Sequence, residues 1–243
     1  MKLLAEVVFE LNKGKKRFEQ VYDLLCKEKR VFDGIDIPES PLGMASLNSI
    51  VIGALMKKSC PNITVFSHLR LVDISPTLFL SLLSSAELAN IDGVFVTYGE
   101  KNEKKNNKGL FYTEDSLTLA TNYGLNNKLG AILSLNYSTD EIMKRLESGF
   151  KKFLVLRLSD SNFEKFVIIA ERARKFGKEL YPYIIIKTER NSEIIDRIGQ
   201  PSYELHNLEN IIEKLGGIVE GIVISTAGDF KFLRSFEAKF LRK

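Results

Sequence analysis

Two cysteines, two histidines and the absence of any long apolar run set the first limits on this chain of 243 residues. Cys26 and Cys60 stand far apart, and neither belongs to a Cys-x-x-Cys pair or a Cys/His cluster. Two such thiols are expected to be separate in a reducing cytoplasm, with neither a disulfide framework nor a zinc site. No run approaches the roughly 18 apolar residues that cross a bilayer. The opening "MKLLAEVVFELNKGKK" carries Glu6 and Glu10 and lacks a small-residue cleavage site, so neither a membrane span nor a signal segment is expected. No strand-like run leads into a Gly-x-Gly-x-x-Gly loop, which argues against a dinucleotide-binding open sheet. No Pro/Gly/Ser-rich linker or shift in composition divides the chain, and one domain over residues 1–243 is expected. A net charge of +4 is too small to call for nucleic acid. The basic runs "NKGKKR" (12–17) and "EKNEKKNNK" (100–108) read first as solvated loop and helix-start charge, and second as anion attraction.

What is present is a regular alternation. Short apolar, β-branched runs lie at 3–11, 31–37, 63–68, 93–99, 129–135, 152–158, 180–186 and 221–226. Amphipathic stretches such as 17–29 and 162–177 separate them; in the latter, Phe163, Phe166, Val167, Ala170 and Ala173 recur at helical spacing before Gly177. Ser75-Pro76 and Ser138 to Glu141 read as helix starts. Eight such units of about thirty residues predict a single α/β domain, a (β/α)8 TIM barrel. In that fold chemistry gathers at the C-terminal ends of the strands. Here those ends carry Glu10, Asp36 to Ser40, His68, Thr97 to Glu100, Arg157, Lys187, Ser225 and Thr226. The loop after the fourth run (100–115) is the longest and is the candidate lid.

An ordered set of segments resembles the methylenetetrahydrofolate reductase family over residues 1–160. "FSHLRLVDISP" (66–76) is similar to the strand that ends in His-Leu-Thr-Cys in that family, and Tyr98-Gly99-Glu100 to its Arg-Gly-Asp. "VVFEL" (7–11) resembles the first strand and its essential glutamate; "DIPESPLGMASLNSIVIGALMKK" (36–58) resembles the second loop and helix. "FYTEDSLTLA" (111–120) and "DEIMKRLESGFKKFL" (140–154) continue the order. The resemblance implies FAD across the strand ends, reduced by NAD(P)H, passing hydride to a folate or other pterin carrier of a one-carbon unit. It implies Glu10 as the proton donor to the pterin nitrogen and His68 as a flavin contact. Tyr98, Gly99 and Glu100 would line the ring and ribityl chain, Tyr112 and Thr113 the wall beyond, and Lys144 and Arg145 would reach the diphosphate. No metal is implied; the location is expected to be cytoplasmic, and the chain a homo-oligomer or paired with a related subunit.

The chain departs from the family pattern at several of these positions. Arg70 and Leu71 replace Thr-Cys, Leu156 and Arg157 stand where a pterin-contacting Gln is usual, and the loop after the fifth run is short. These departures favour a second expectation, a barrel of the same descent that lost chemistry and serves as a partner subunit or a pterin- or flavin-binding module. A third, a lyase or aldolase working through a strand-end lysine, has Lys187 as its candidate.

Overall fold

A computed structural model describes residues 1–27, 30–99 and 112–240. Nine strands form one wholly parallel sheet: β1 (Lys2–Glu6), β2 (Gly34–Ile37), β3 (Thr64–Arg70), β4 (Gly93–Thr97), β5 (Leu129–Ser134), β6 (Lys152–Leu156), β7 (Glu179–Ile186), β8 (Ser202–Tyr203) and β9 (Gly221–Ser225). Pairing of β6 with β7, β7 with β9 and β9 with β1 closes eight of them into a barrel. The two-residue β8 pairs with Ile185 and Ile186 at the upper end of β7.

The helices follow in turn: α1 (Gly14–Leu25), α2 (Ser49–Ser59), α3 (Pro76–Leu88), α4 (Thr113–Asn122), α5 (Thr139–Glu147), α6 (Phe163–Lys175), α7 (Ser192–Ile198), α8 (Leu208–Leu215) and α9 (Phe230–Phe240). The expected (β/α)8 barrel is therefore the fold, and all eight expected strands are present. The expected helix starts are present too. Ser75 Oγ accepts from Leu78 N ahead of α3, and Ser138 and Glu141 cap α5 reciprocally.

Residues two apart on a strand share a face, and here the inward faces set the vertical order of the barrel. The lower interior is filled by Leu4, Phe66, Phe95, Leu154, Tyr181 and Val223. Phe66 meets Phe95 edge to face at 5.2 Å and Tyr181 at 4.7 Å. Glycine makes room for these rings: a Cβ on Gly130 would stand 2.7 Å from Phe95, and one on Gly93 would stand 3.0 Å from Phe66. The outward faces, with Ala5, Ile35, Val65 and Val94 among them, pack under the helices in the main core.

Three expectations are corrected. The first strand ends at Glu6 rather than running to residue 11; residues 7–9 lie outside any strand, and an isolated antiparallel bridge between Glu10 and Ser46 follows. β8 is a further strand beyond the eight expected runs. Cys26 and Cys60 are joined in a disulfide, their Cα atoms 5.8 Å apart, instead of being free thiols. Their separation of 34 residues is one βα unit, and each residue caps the C-terminus of its helix, α1 or α2. Neighbouring units of a barrel bring equivalent positions together, so distance along the chain misleads.

Loop-closure entropy for a ring of this length corresponds to roughly 3–4 kcal/mol. Reduction of the disulfide, or Cys60→Ser, is expected to lower unfolding free energy by about that amount in urea titrations. Thiol labelling of the native chain before reduction should find no reactive cysteine.

Candidate active site

The inward alternation that stacks rings in the lower barrel turns polar one step higher. Two residues above Leu4, Gly34, Phe66, Phe95, Tyr181 and Val223 stand Glu6, Asp36, His68, Thr97, Tyr183 and Ser225. Between them Ile132 and Leu156, with Leu154 below, make an apolar shelf. This layer is the floor of a cleft of about 1530 Å³ at the C-terminal face of the barrel. The walls come from the loops after β1 and β2 and from α1, α7 and α9. In the loop after β2, Ser40 (φ 43°) and Leu42 (φ 55°) both line the cleft in the left-handed region, a conformation that is costly for residues other than glycine.

Two proton-sharing pairs occupy the floor. The Tyr183 hydroxyl donates to Glu6 Oε2. Burial, foremost, raises the Glu6 carboxyl above its ordinary range despite the hydrogen bonds from Ser225 and Tyr183, and the nearby Asp36 charge raises it further. Burial and the Glu6 charge hold the Tyr183 phenol well above its ordinary value, so it remains a donor. In the second pair, His68 Nε2 lies 2.8 Å from Asp36 Oδ1. Burial opposes the imidazolium, but the charge and hydrogen bond of Asp36, with Glu6 and Glu39 behind it, outweigh burial and raise the histidine. The other carboxylate oxygen, Asp36 Oδ2, is buried without a hydrogen-bond partner in a residue that lines the cleft. Buried acceptors are seldom left so, and this one is available to a ligand.

The frame around these groups is tight. Ser49 Oγ donates to His68 O at 2.6 Å, and Ser67 Oγ returns a bond to Ser49 O at 3.1 Å, clipping the start of α2 to β3. Glu39 Oε2 accepts from Ser49 N at 2.7 Å.

The residues picked from sequence separate into three groups. His68 is on the floor, and Glu10 lines the cleft higher up, 41% exposed and ion-paired with Lys13 at 2.7 Å. Gly99 also lines it, with Arg70 lying across it: a Cβ there would stand 2.3 Å from Arg70 Nε. Tyr98 and Tyr112 stack on each other at 5.4 Å outside the cleft lining, and Thr113 is buried at the start of α4. Lys144 and Arg145 sit in the last turn of α5, away from the cleft, with Arg145 3.6 Å from Glu114. Glu100 and most of the candidate lid, residues 100–111, lie outside the described residues. Lys187 is exposed beyond β7 and does not line the cleft.

Sequence reasoning missed Glu6 and Tyr183, both in plain view on predicted strands. The signal was the period of two: counting up from Leu4 and Tyr181 reaches them directly. Among the described residues no cluster of His, Cys, Asp and Glu is arranged to hold a metal ion, and no helix is long and apolar enough to cross a membrane. No protein-family model matches the chain, and no curated protein matches it either.

The floor has a pH signature. A histidine that holds its proton more tightly in the folded chain contributes stability that is complete below pH 6.5 and is lost as pH rises through the folded value. Glu6 acts with the same sign from pH 4.5 upward. Urea midpoints are expected to fall as pH rises above 6.5, and the fall should be shallower in His68→Asn; parallel profiles would remove His68 from that account.

Proposed function

We propose that the cleft is the active site of a flavin-dependent oxidoreductase resembling the methylenetetrahydrofolate reductases. Hydride would pass from NAD(P)H by way of FAD to a methylene-pterin carrier. The observation that carries this reading is the acid pair on the floor. Glu6, raised by burial and held by Tyr183, is a carboxyl that keeps its proton to higher pH than an ordinary carboxylate and can deliver it, beside an apolar shelf fit for a planar ring.

The fit of a flavin dinucleotide rests on three features of these residues. The volume of about 1530 Å³ exceeds what one small ligand fills and leaves room for cofactor and substrate together. Ile132, Leu154 and Leu156 offer an apolar surface, and Asp36 Oδ2 is an acceptor awaiting an N–H or O–H. When bound, the flavin supplies the two-electron chemistry. The chain's own part is to hold and place protons. Tyr183 fixes the Glu6 carboxyl by donating to it, and Asp36 Oδ1 fixes the His68 ring, leaving its second oxygen for the ligand. Glu6 thereby takes the proton-donor role that the resemblance assigned to Glu10, which is engaged with Lys13 nearer the rim.

Arg70 favours the alternative reading. It lies against Gly99, where the resemblance puts the flavin ring, and its guanidinium is engaged with Asp73 at 3.4 Å. A barrel of the same descent, kept as a binding module or partner subunit, would have that shape. The proposed compartment remains the cytoplasm; a disulfide inside a cell is the habit of hyperthermophiles, and the abundance of Lys, Glu and Ile suits such a source.

The visible spectrum of the purified chain separates the two. A flavin band that bleaches with NAD(P)H is expected. In Glu6→Gln, transfer to the pterin acceptor is expected to slow by roughly 10²–10⁴-fold, the usual contribution of a placed acid, and more than flavin reduction slows. A colourless protein that takes up no added FAD overturns the enzyme reading.

A further inference from the structure

Charge on the cleft walls is unevenly satisfied. Eight Lys and Arg side chains and five carboxylates line the cleft. Every one of the carboxylates has a protein partner. Glu6 accepts from Tyr183, Asp36 holds His68, Glu10 is bound to Lys13, and Glu39 caps α2 through Ser49 N. Asp229 accepts from Thr188 Oγ1 at 3.0 Å and from Phe232 N at 3.1 Å, capping α9. Among the cations, Lys13 and Arg17 face Glu10, Arg17 also lies 4.2 Å over the Phe230 ring, and Arg70 is paired with Asp73.

Lys16, Arg190, Arg197, Lys231 and Arg234 have no side-chain partner among the described residues. They come from α1, from α7 and the loop before it, and from α9, segments that only barrel closure brings to one cleft. Like charges gathered along one cleft repel one another, and the five carboxylates that share it are each already engaged within the chain. A multiply charged anion would relieve that repulsion.

We infer that this wall, on the α1, α7 and α9 side of the cleft, is a binding site for a ligand bearing closely spaced negative charges, either a diphosphate or a polycarboxylate. The inference goes beyond the flavin reading and does not need it: these residues are not the Lys144 and Arg145 that the resemblance assigned to a diphosphate. Arg forks and Lys ammonium groups bind such anions through charge-assisted hydrogen bonds; all five side chains are exposed, so salt screens them and the attraction is greatest at low ionic strength. The apolar shelf and the acid pair at the floor would then receive the uncharged, reacting end of the same ligand.

Calorimetric titration of the full chain at low ionic strength, with pyrophosphate in one arm and citrate in the other, tests this. The tighter of the two identifies the anion as phosphate or carboxylate. Arg197→Ala/Arg234→Ala is expected to weaken the tighter ligand by about tenfold or more, the loss of at least 1.4 kcal/mol. Lys16→Gln should weaken it less. Arg172→Ala/Lys175→Ala, on exposed positions in the last turn of α6, should leave it unchanged. Circular dichroism of each variant verifies the fold, and Lys16→Gln serves if the double variant does not fold. The inference is overturned if neither anion binds the parent chain, or if the α6 pair weakens binding as much as the α7/α9 pair. A colourless protein that still shows this pattern would end the flavin reading and leave the anion site standing; a yellow one with unchanged pyrophosphate and citrate affinity in the cleft variants would do the reverse.

Discussion

The edge-to-face contact of Phe66 with Phe95 and Tyr181 inside the barrel sets the height of everything above it. Three rings fill the lower interior because Gly93 and Gly130 yield space beside them. With the lower half solid, the next inward layer is the first that ligand or solvent can reach, and it is there that the strands change from apolar to acid, imidazole and phenol. The packed layer below also supplies the low-dielectric surroundings that raise Glu6 and Tyr183. Structure and electrostatics share a cause: the floor groups are perturbed because they are buried on a close-packed apolar plug.

The two ends of the barrel treat charge in opposite ways. At the lower end, Lys178 donates to the Ser148 and Phe150 carbonyls, Lys57 binds Asp92 and two carbonyls, and Lys152 pairs with Glu179. Those cations are internally satisfied and read as stability. At the upper end satisfaction is reserved for the acids, while a set of cations and one carboxylate oxygen, Asp36 Oδ2, stay open. Ligand binding in (β/α)8 barrels belongs to that face, and here the asymmetry is visible in the partners of individual side chains.

The barrel was legible because parallel strands covered on both faces read as continuous β-branched runs, and "ITVFSH" or "GIVIST" has no competing interpretation. The end of β1 was not. "LLAEVVFEL" is apolar on both sides of Glu6, so no local break shows where the ladder stops, and attention settled on Glu10 instead of Glu6. His68 and Asp36 are both legible as strand-end residues; their pairing is not, since contact across neighbouring strands depends on register rather than on local pattern. β8 is two residues held by its partner's edge and carries no propensity signal of its own. The disulfide was hidden by counting residues where counting structural units would have found it.

The bond between Cys26 and Cys60 also encloses a particular piece of chain. The covalent ring it closes contains all of β2, the left-handed Ser40, Leu42 and Gly43 of the following loop, and the Asp36 that holds His68. A backbone cut at the exposed Met44 or Ala45 would open that ring without parting the molecule, since the chain on either side stays tethered through sulfur. One wall of the cleft therefore has a second attachment to the barrel, independent of the peptide bonds that form it.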